Sequence, residues 1–205
     1  APQTNEFLGM AVCFGEKDTY FFKAGEELTS SVLSDLLTHS EAAGYMTLDL
    51  KPQLGLLHMI EQRENGCLNQ KNIFDNVIAA YLLNPLKNEY PYEDIAKDYC
   101  SLMIPSRVDL LGKSGYDLAM DEKFLKTVCF MAYTAFSSKK AMMEELKATG
   151  MEQLYETIEM PLVFTLADME HTGIAIDAVN LKEYGEKLAV RIKELETRIY
   201  QEAGE

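Results

Sequence analysis

The last quarter of the chain, from Glu159 to Glu205, reads EMPLVFTLADMEHTGIAIDAVNLKEYGEKLAVRIKELETRIYQEAGE and limits the possible folds more than any other stretch. An apolar helix with Leu162, Leu166 and Met169 on one face runs into His171-Thr172-Gly173, where glycine takes the positive φ that ends helices. Ile174-Ala175-Ile176 reads as a short β-like step, and Asp177 or Asn180 is placed to cap the next helix by accepting from its free amides. That second helix is long. Leu181, Tyr184, Leu188, Ile192, Leu195 and Ile199 recur at the period of a straight α-helix, with Glu183/Lys187 and Glu194/Arg198 as acid-before-base pairs one turn apart. The spacing predicts a solvated helix with one apolar seam.

The wording of this stretch is also specific. The run E-M-P-L-V-x-x-L-A-x-M-E-x-x-G-I-x-I-D, continued by R-I-x-E-L-E-x-x-I-Y-x-x-A-G-E, resembles the bacterial DNA polymerase I family (family A), where it joins a 3′-5′ exonuclease-like domain to the thumb. Phe74-Asp75-Asn-Val-Ile-Ala-Ala-Tyr-Leu-Leu-Asn84-Pro85 resembles that family's F-D-x-x-x-A-A-Y-L-L-x-P segment, and Leu8-Gly9-Met-Ala-Val12 its second exonuclease strand. The middle, residues 86 to 130, matches least. The resemblance implies an α/β, ribonuclease H-like exonuclease fold, a mixed sheet with flanking helices, over residues 1–158. It further implies a linker helix and the first long thumb helix over 159–205, in a piece of a polymerase that stops in mid-thumb.

Composition sets limits on this expectation. The chain has 205 residues, 47% of them apolar, enough for one good core and an appendage. Nineteen Lys and Arg stand against 33 Asp and Glu, a net charge of −14, and no basic cluster offsets it. Phosphate neutralisation supplies most non-specific nucleic-acid affinity, so this balance opposes DNA binding by the chain alone. DNA contact is expected only through the intact polymerase. Cys13, Cys67, Cys100 and Cys129 have no C-x-x-C spacing, and His39, His58 and His171 share no ligand spacing, which argues against structural zinc and a disulfide framework. No apolar run approaches the length of a membrane span, and a reducing cytoplasm fits best.

Taken in order, residues 6–14 and 19–23 read as a β-hairpin across Gly15–Asp18, the first strand being apolar enough for a central position covered on both faces. Leu28–Thr38 carries a helical stripe, and Gly44–Leu50 reads as a third strand. Pro52 suits the first turn of a helix to about Glu64, and Asn65–Asn72 reads as a polar loop ending in Ile73-Phe74-Asp75. A helix from Asp75 is stopped by Asn84-Pro85. Tyr92–Tyr99 reads as a short helix and Ser101–Gly115 as a connection, mobile around Gly112–Gly115. Asp121–Lys147 is a long core helix with Phe124, Val128, Met131, Ala135, Met142 and Leu146.

An active exonuclease of the resembled kind holds two divalent metals about 4 Å apart, which requires clustered carboxylates. The resemblance supplies three motifs, and this chain departs from each. No D-x-E pair precedes Leu8, so it lies upstream of Ala1 or has gone. The N-L-K-Y-D motif reads Asp49-Leu50-Lys51-Pro52-Gln53, with an amide at the ligand position. The Y-x-x-x-D motif falls on Tyr133-Thr-Ala-Phe-Ser137, give or take a residue or two. Gln53, Tyr133 and Ser137 are therefore expected to be degenerate positions, with no catalytic residue, metal or cofactor in this chain and magnesium reserved for the intact polymerase. Asp49 as a relocated ligand keeps a working nuclease open as the alternative, and a stand-alone helical module is a third reading. Asp168-Met-Glu170 spells D-x-E within a helix, where i and i+2 point apart. The seam of the helix 180–203, if left without a partner helix, is expected either to fold back on its own domain or, favoured in a crystal, to pair with a second copy, antiparallel and two-fold symmetric.

Overall fold

A computed structural model of the chain describes residues 7–25, 44–61, 72–112 and 121–204. The helix read over Leu28–Thr38, most of the loop read over Asn65–Asn72, and residues 113–115 lie outside these. The described residues form a mostly helical α/β structure with small sheets, grouped into two compact units, Ala1–Met169 and Glu170–Glu205.

The first unit opens with the expected hairpin. Strand β1 (Gly9–Gly15) runs antiparallel to β2 (Asp18–Lys23), with Met10 opposite Phe22 and Val12 opposite Tyr20. Gly9 has φ +155°, and a Cβ there would meet the Phe22 carbonyl oxygen at 2.3 Å, so the close approach of the strands requires glycine. The central position expected for β1 is not seen among the described residues, where β2 is its partner and Phe14 stays 59% exposed. Its apolar residues are explained by the long helix packed on the hairpin rather than by cover on both faces.

Strand β3 is short, Tyr45–Thr47, and pairs in parallel with β4, Ile73–Asp75, with Thr47 opposite Asp75. The expected strand to Leu50 is cut off because helix α1 (Leu50–Glu61) begins there. The sequence places the residues of β4 at the end of a loop. Three residues are too few for a period to register, and a parallel partner 28 positions away supplies the pairing. Helix α2 (Asn76–Leu83) is capped by Asp75 and stops at Asn84, as Asn-Pro dictates. Helix α3 (Tyr92–Cys100) also matches its reading, whereas the connection after it holds a helix the sequence reading lacked, α4 (Arg107–Leu111). A capping box nucleates α4: the Asp109 amide donates to Ser106 Oγ at 3.1 Å, and the Ser106 amide donates to the Asp109 carboxylate at 3.0 Å.

Helix α5 (Glu122–Thr149) packs against the hairpin, β3, α2, α3 and α4. Phe124, Ala135, Met142 and Leu146 are buried on it as expected, with Met131 half-buried. Some of its polar groups are fastened as well. Asn76 at the start of α2 donates through Nδ2 to the Ala135 carbonyl (3.2 Å) and to Ser138 Oγ (2.5 Å), and Ser138 donates to the Thr134 carbonyl. The Asn76 amide nitrogen and the Ser138 hydroxyl thereby avoid the cost of an unmade bond, whereas Asn76 Oδ1 and Thr134 Oγ1 are buried without a hydrogen-bond partner among the described residues.

After Gly150 (φ +73°) come α6 (Glu152–Leu154), one π turn (Tyr155–Glu159) and α7 (Met160–Thr172). The π turn carries Tyr155 into the core. On α7 the buried residues are Met160 and Val163, while the stripe Leu162, Leu166, Met169 is 41, 38 and 62% exposed.

In the second unit Gly173 takes φ +73° as expected, but Ile174–Ile176 forms no strand. Helix α8 (Ala178–Ala203) follows, its N-terminal amides at Val179 and Asn180 donating to Asp177 Oδ1 at 3.1 and 3.0 Å. Asp177 is therefore the cap. Glu194 pairs with Arg191 at 3.0 Å, one turn before it, rather than with Arg198. All six seam residues are exposed, from 41% at Leu195 to 63% at Ile199.

Candidate functional site

The positions singled out in the sequence meet where the parallel pair β3–β4 feeds α1 and α2. Two strands ending side by side release two helices there, and each helix start has free amides to satisfy. One carboxylate serves both. Asp75 accepts at Oδ1 from the amides of Val77 (2.8 Å), Ile78 (3.3 Å) and Asp49 (3.2 Å), and at Oδ2 from that of Leu50 (2.6 Å). The residue is 1% exposed; burial pushes its carboxyl above the usual range, while these four amide bonds pull against that shift. Asp49, with its backbone at φ +55°, turns the chain from β3 into α1, and its exposed carboxyl is pushed up by partial desolvation and by the charge of Asp75.

Tyr155 closes the arrangement from a distance of 80 residues. Its hydroxyl accepts from the Asp75 amide at 2.7 Å and donates to the Asp75 carbonyl at 3.3 Å, and its ring lies 5.2 Å from that of Phe74. Burial raises the pKa of this hydroxyl, so it stays protonated over the ordinary pH range. The cap at Asp75 is visible in the sequence as an acid before an apolar helix. Nothing in the sequence marks Tyr155.

Gln53 lies on the first turn of α1 and faces β3. Its Nε2 donates to Thr47 Oγ1 (2.6 Å), the Leu48 carbonyl (2.8 Å) and the Asp49 carbonyl (3.1 Å), and its Oε1 accepts from the hydroxyl of Tyr45 (3.3 Å). Both ends of the amide are committed to protein partners. Tyr133 and Ser137 are half-buried on α5, and among the described residues no hydrogen bond joins either to Gln53. The α5 residues that reach the Asp75–Asn76 step are Ala135, Ser138 and Met142, so Ser138, one position after Ser137, is the hydroxyl at that junction. Asp168 and Glu170 are exposed on α7. Among the described residues no three His, Cys, Asp or Glu side chains gather at metal-ligand spacing, and no helix is long and apolar enough to cross a membrane.

This chain is similar to DNA polymerase I of several bacteria. It is 33% identical to that of Bacillus subtilis over 133 residues, which is 64% of this chain and 15% of the relative. With DNA polymerase I of Streptococcus pneumoniae it shares 30% identity over 204 residues, 98% of this chain and 22% of the relative. With that of Caldicellulosiruptor bescii it shares 28% over 196 residues, 93% of this chain and 20% of the relative. The chain thus spans about a fifth, or less, of the length of these curated relatives. Among solved structures, the POL domain of Pol1 from M. smegmatis, in complex with DNA primer-template and dNTP, superposes with a TM-score of 0.66 at 20% identity, over 89% of this chain and 29% of that one. That likeness shows a shared fold. No family model matches the chain.

Proposed function

We propose that this chain, a homologue of one segment of bacterial DNA polymerase I, is part of a DNA polymerase working in replication and repair in the cytoplasm. Its first unit, on this reading, is a ribonuclease H-like 3′-5′ exonuclease domain of family A whose metal site is lost, kept as a structural and interdomain element. The long helix α8 belongs to the thumb, and DNA is held by the intact polymerase.

The observation that carries the loss of nuclease activity is the bonding of Gln53. A hard divalent cation needs oxygen donors with free lone pairs, and two-metal phosphodiester cleavage needs several carboxylates converging on one point. Gln53 turns an N–H donor group toward the end of β3, where three oxygens already surround it, and its own oxygen holds Tyr45. Among the described residues the one fully buried carboxylate nearby, Asp75, is occupied by four amides. These residues do not fit the two-metal site of the family. Asp49 beside Asp75 is the one arrangement favouring a working nuclease with relocated ligands, and the same test separates the two.

Incubated with a 5′-labelled single strand and magnesium or manganese, the chain is expected to leave the strand at full length. A ladder of shortened products that vanishes in Asp49→Asn, and is absent from a mock preparation, overturns the proposal in favour of relocated ligands.

A further inference from the structure

The side-chain nitrogen of Gln53 sits in a cup of oxygens at the end of β3. Thr47 Oγ1 lies 2.6 Å from it, the Leu48 carbonyl 2.8 Å and the Asp49 carbonyl 3.1 Å. Two of the three are carbonyls, which only accept, so the nitrogen of the amide and not its oxygen faces them. An NH2 group has two hydrogens, and three oxygens outnumber its donors. A cup of this kind, facing one centre from three atoms, suits a small positive ion better than a planar amide. Its oxygens are uncharged and stand farther off than those around magnesium (about 2.0–2.1 Å) or calcium (about 2.3–2.6 Å), cations that take carboxylates. The distances fit N–H···O bonds of about 2.7–3.2 Å, as an ammonium ion would make. Carbonyl oxygens likewise replace the water shell of potassium in channel filters. The Tyr45 hydroxyl, 3.3 Å from Gln53 Oε1, adds a further oxygen at the rim, and Gln53 is only half-buried, so solvent reaches the place.

We infer that the end of β3 is a binding cup for a monovalent cation of ammonium or potassium size, and that the NH2 group of Gln53 fills it as a tethered substitute. Gln53 is thereby a positioning residue. It draws the Thr47 hydroxyl and the carbonyls of Leu48 and Asp49 to one point, and so fixes the turn from β3 into α1, where Asp49 holds φ +55°. The inference uses the same bonds of Gln53 as the proposed function but does not depend on the polymerase reading, and its test reads stability rather than nuclease activity. With the cup filled, the native chain is indifferent to which monovalent cation surrounds it. A chain without the amide is not, because a cation that binds only the folded cup stabilises the fold.

Thermal unfolding of the native chain, Gln53→Ala and Gln53→Met is followed in about 0.3 M ammonium, potassium or tetramethylammonium chloride, where repulsion from the net charge of −14 is largely screened in all three. Gln53→Ala opens the cup, Gln53→Met fills it with an apolar chain, and tetramethylammonium is too large to enter. The expected result is a Tm of Gln53→Ala raised by about 2 °C or more in ammonium or potassium over tetramethylammonium, beyond any difference the native chain shows. Gln53→Met is expected to respond as the native chain does. A response of Gln53→Ala no larger than the native one, or an equal response in Gln53→Met, overturns the inference. Where Gln53→Ala does not fold, Gln53→Lys decides: with its tethered ammonium it is expected to melt above Gln53→Met in the same salt, and melting at or below it overturns the inference.

Discussion

At the scale of single residues, Asp75 and Gln53 perform opposite halves of one task, joining two strand ends to two helix starts. Asp75 supplies only acceptors and meets four amides; Gln53 supplies donors to two carbonyls and a hydroxyl. Replacing Asp75 with Asn retains one acceptor oxygen but turns an NH2 group toward the Leu50 amide, which now donates at 2.6 Å. A buried donor without a partner costs about 1–3 kcal/mol. Asp75→Asn is accordingly expected to lower the free energy of urea unfolding by that amount with an unchanged m-value, and a loss below about 0.5 kcal/mol would show that the double cap contributes little.

At the scale of elements, α8 presents an apolar seam with its residues 41% or more exposed. Full burial of each such side chain is worth roughly 1.5–3 kcal/mol, and a second copy remains the expected cover. The seam is close to symmetric about Val190. A two-fold antiparallel pairing centred there sets Leu188 level with Ile192 and Leu181 level with Ile199. The same register brings Lys187 level with Lys193 and Glu186 level with Glu194, which repel in low salt. Pairing should therefore be stronger at high ionic strength. Light scattering across the micromolar range is expected to show monomer passing to dimer, more readily in added salt, with Leu188→Glu monomeric throughout; a native chain that stays monomeric at every concentration and salt removes this expectation.

At the scale of the whole molecule, a net charge of −14 sets the terms for nucleic acid. The basic residues of α8 alternate with acids, Arg191 being paired with Glu194, and diffuse negative charge lowers the local concentration of a polyanion. Fluorescence anisotropy with a primer-template at about physiological salt should show no saturable binding in the micromolar range. Tight binding would mean that a local basic surface outweighs the total charge.

The sequence by itself determined the elements whose signal is local: the hairpin across Gly15–Asp18, the helix stopped at Asn84-Pro85, the 28-residue α5, and α8, whose cap it narrowed to Asp177 or Asn180. Periods of two and 3.6 residues, caps and breakers act within a few positions, so they can be read without knowing the fold. It also marked Gln53 as an amide where the resembled family has an acid. Only the tertiary structure decided that β4 is a strand, since three residues pair there because β3 lies alongside. It also cut the third strand short at Thr47, because Asp75, 25 positions from Leu50, caps α1. The same holds for Tyr155, whose hydroxyl reaches Asp75 across 80 residues, and for Phe21, whose ring meets that of Phe124 edge to face. These contacts join distant parts of the chain, and no local period or propensity encodes them.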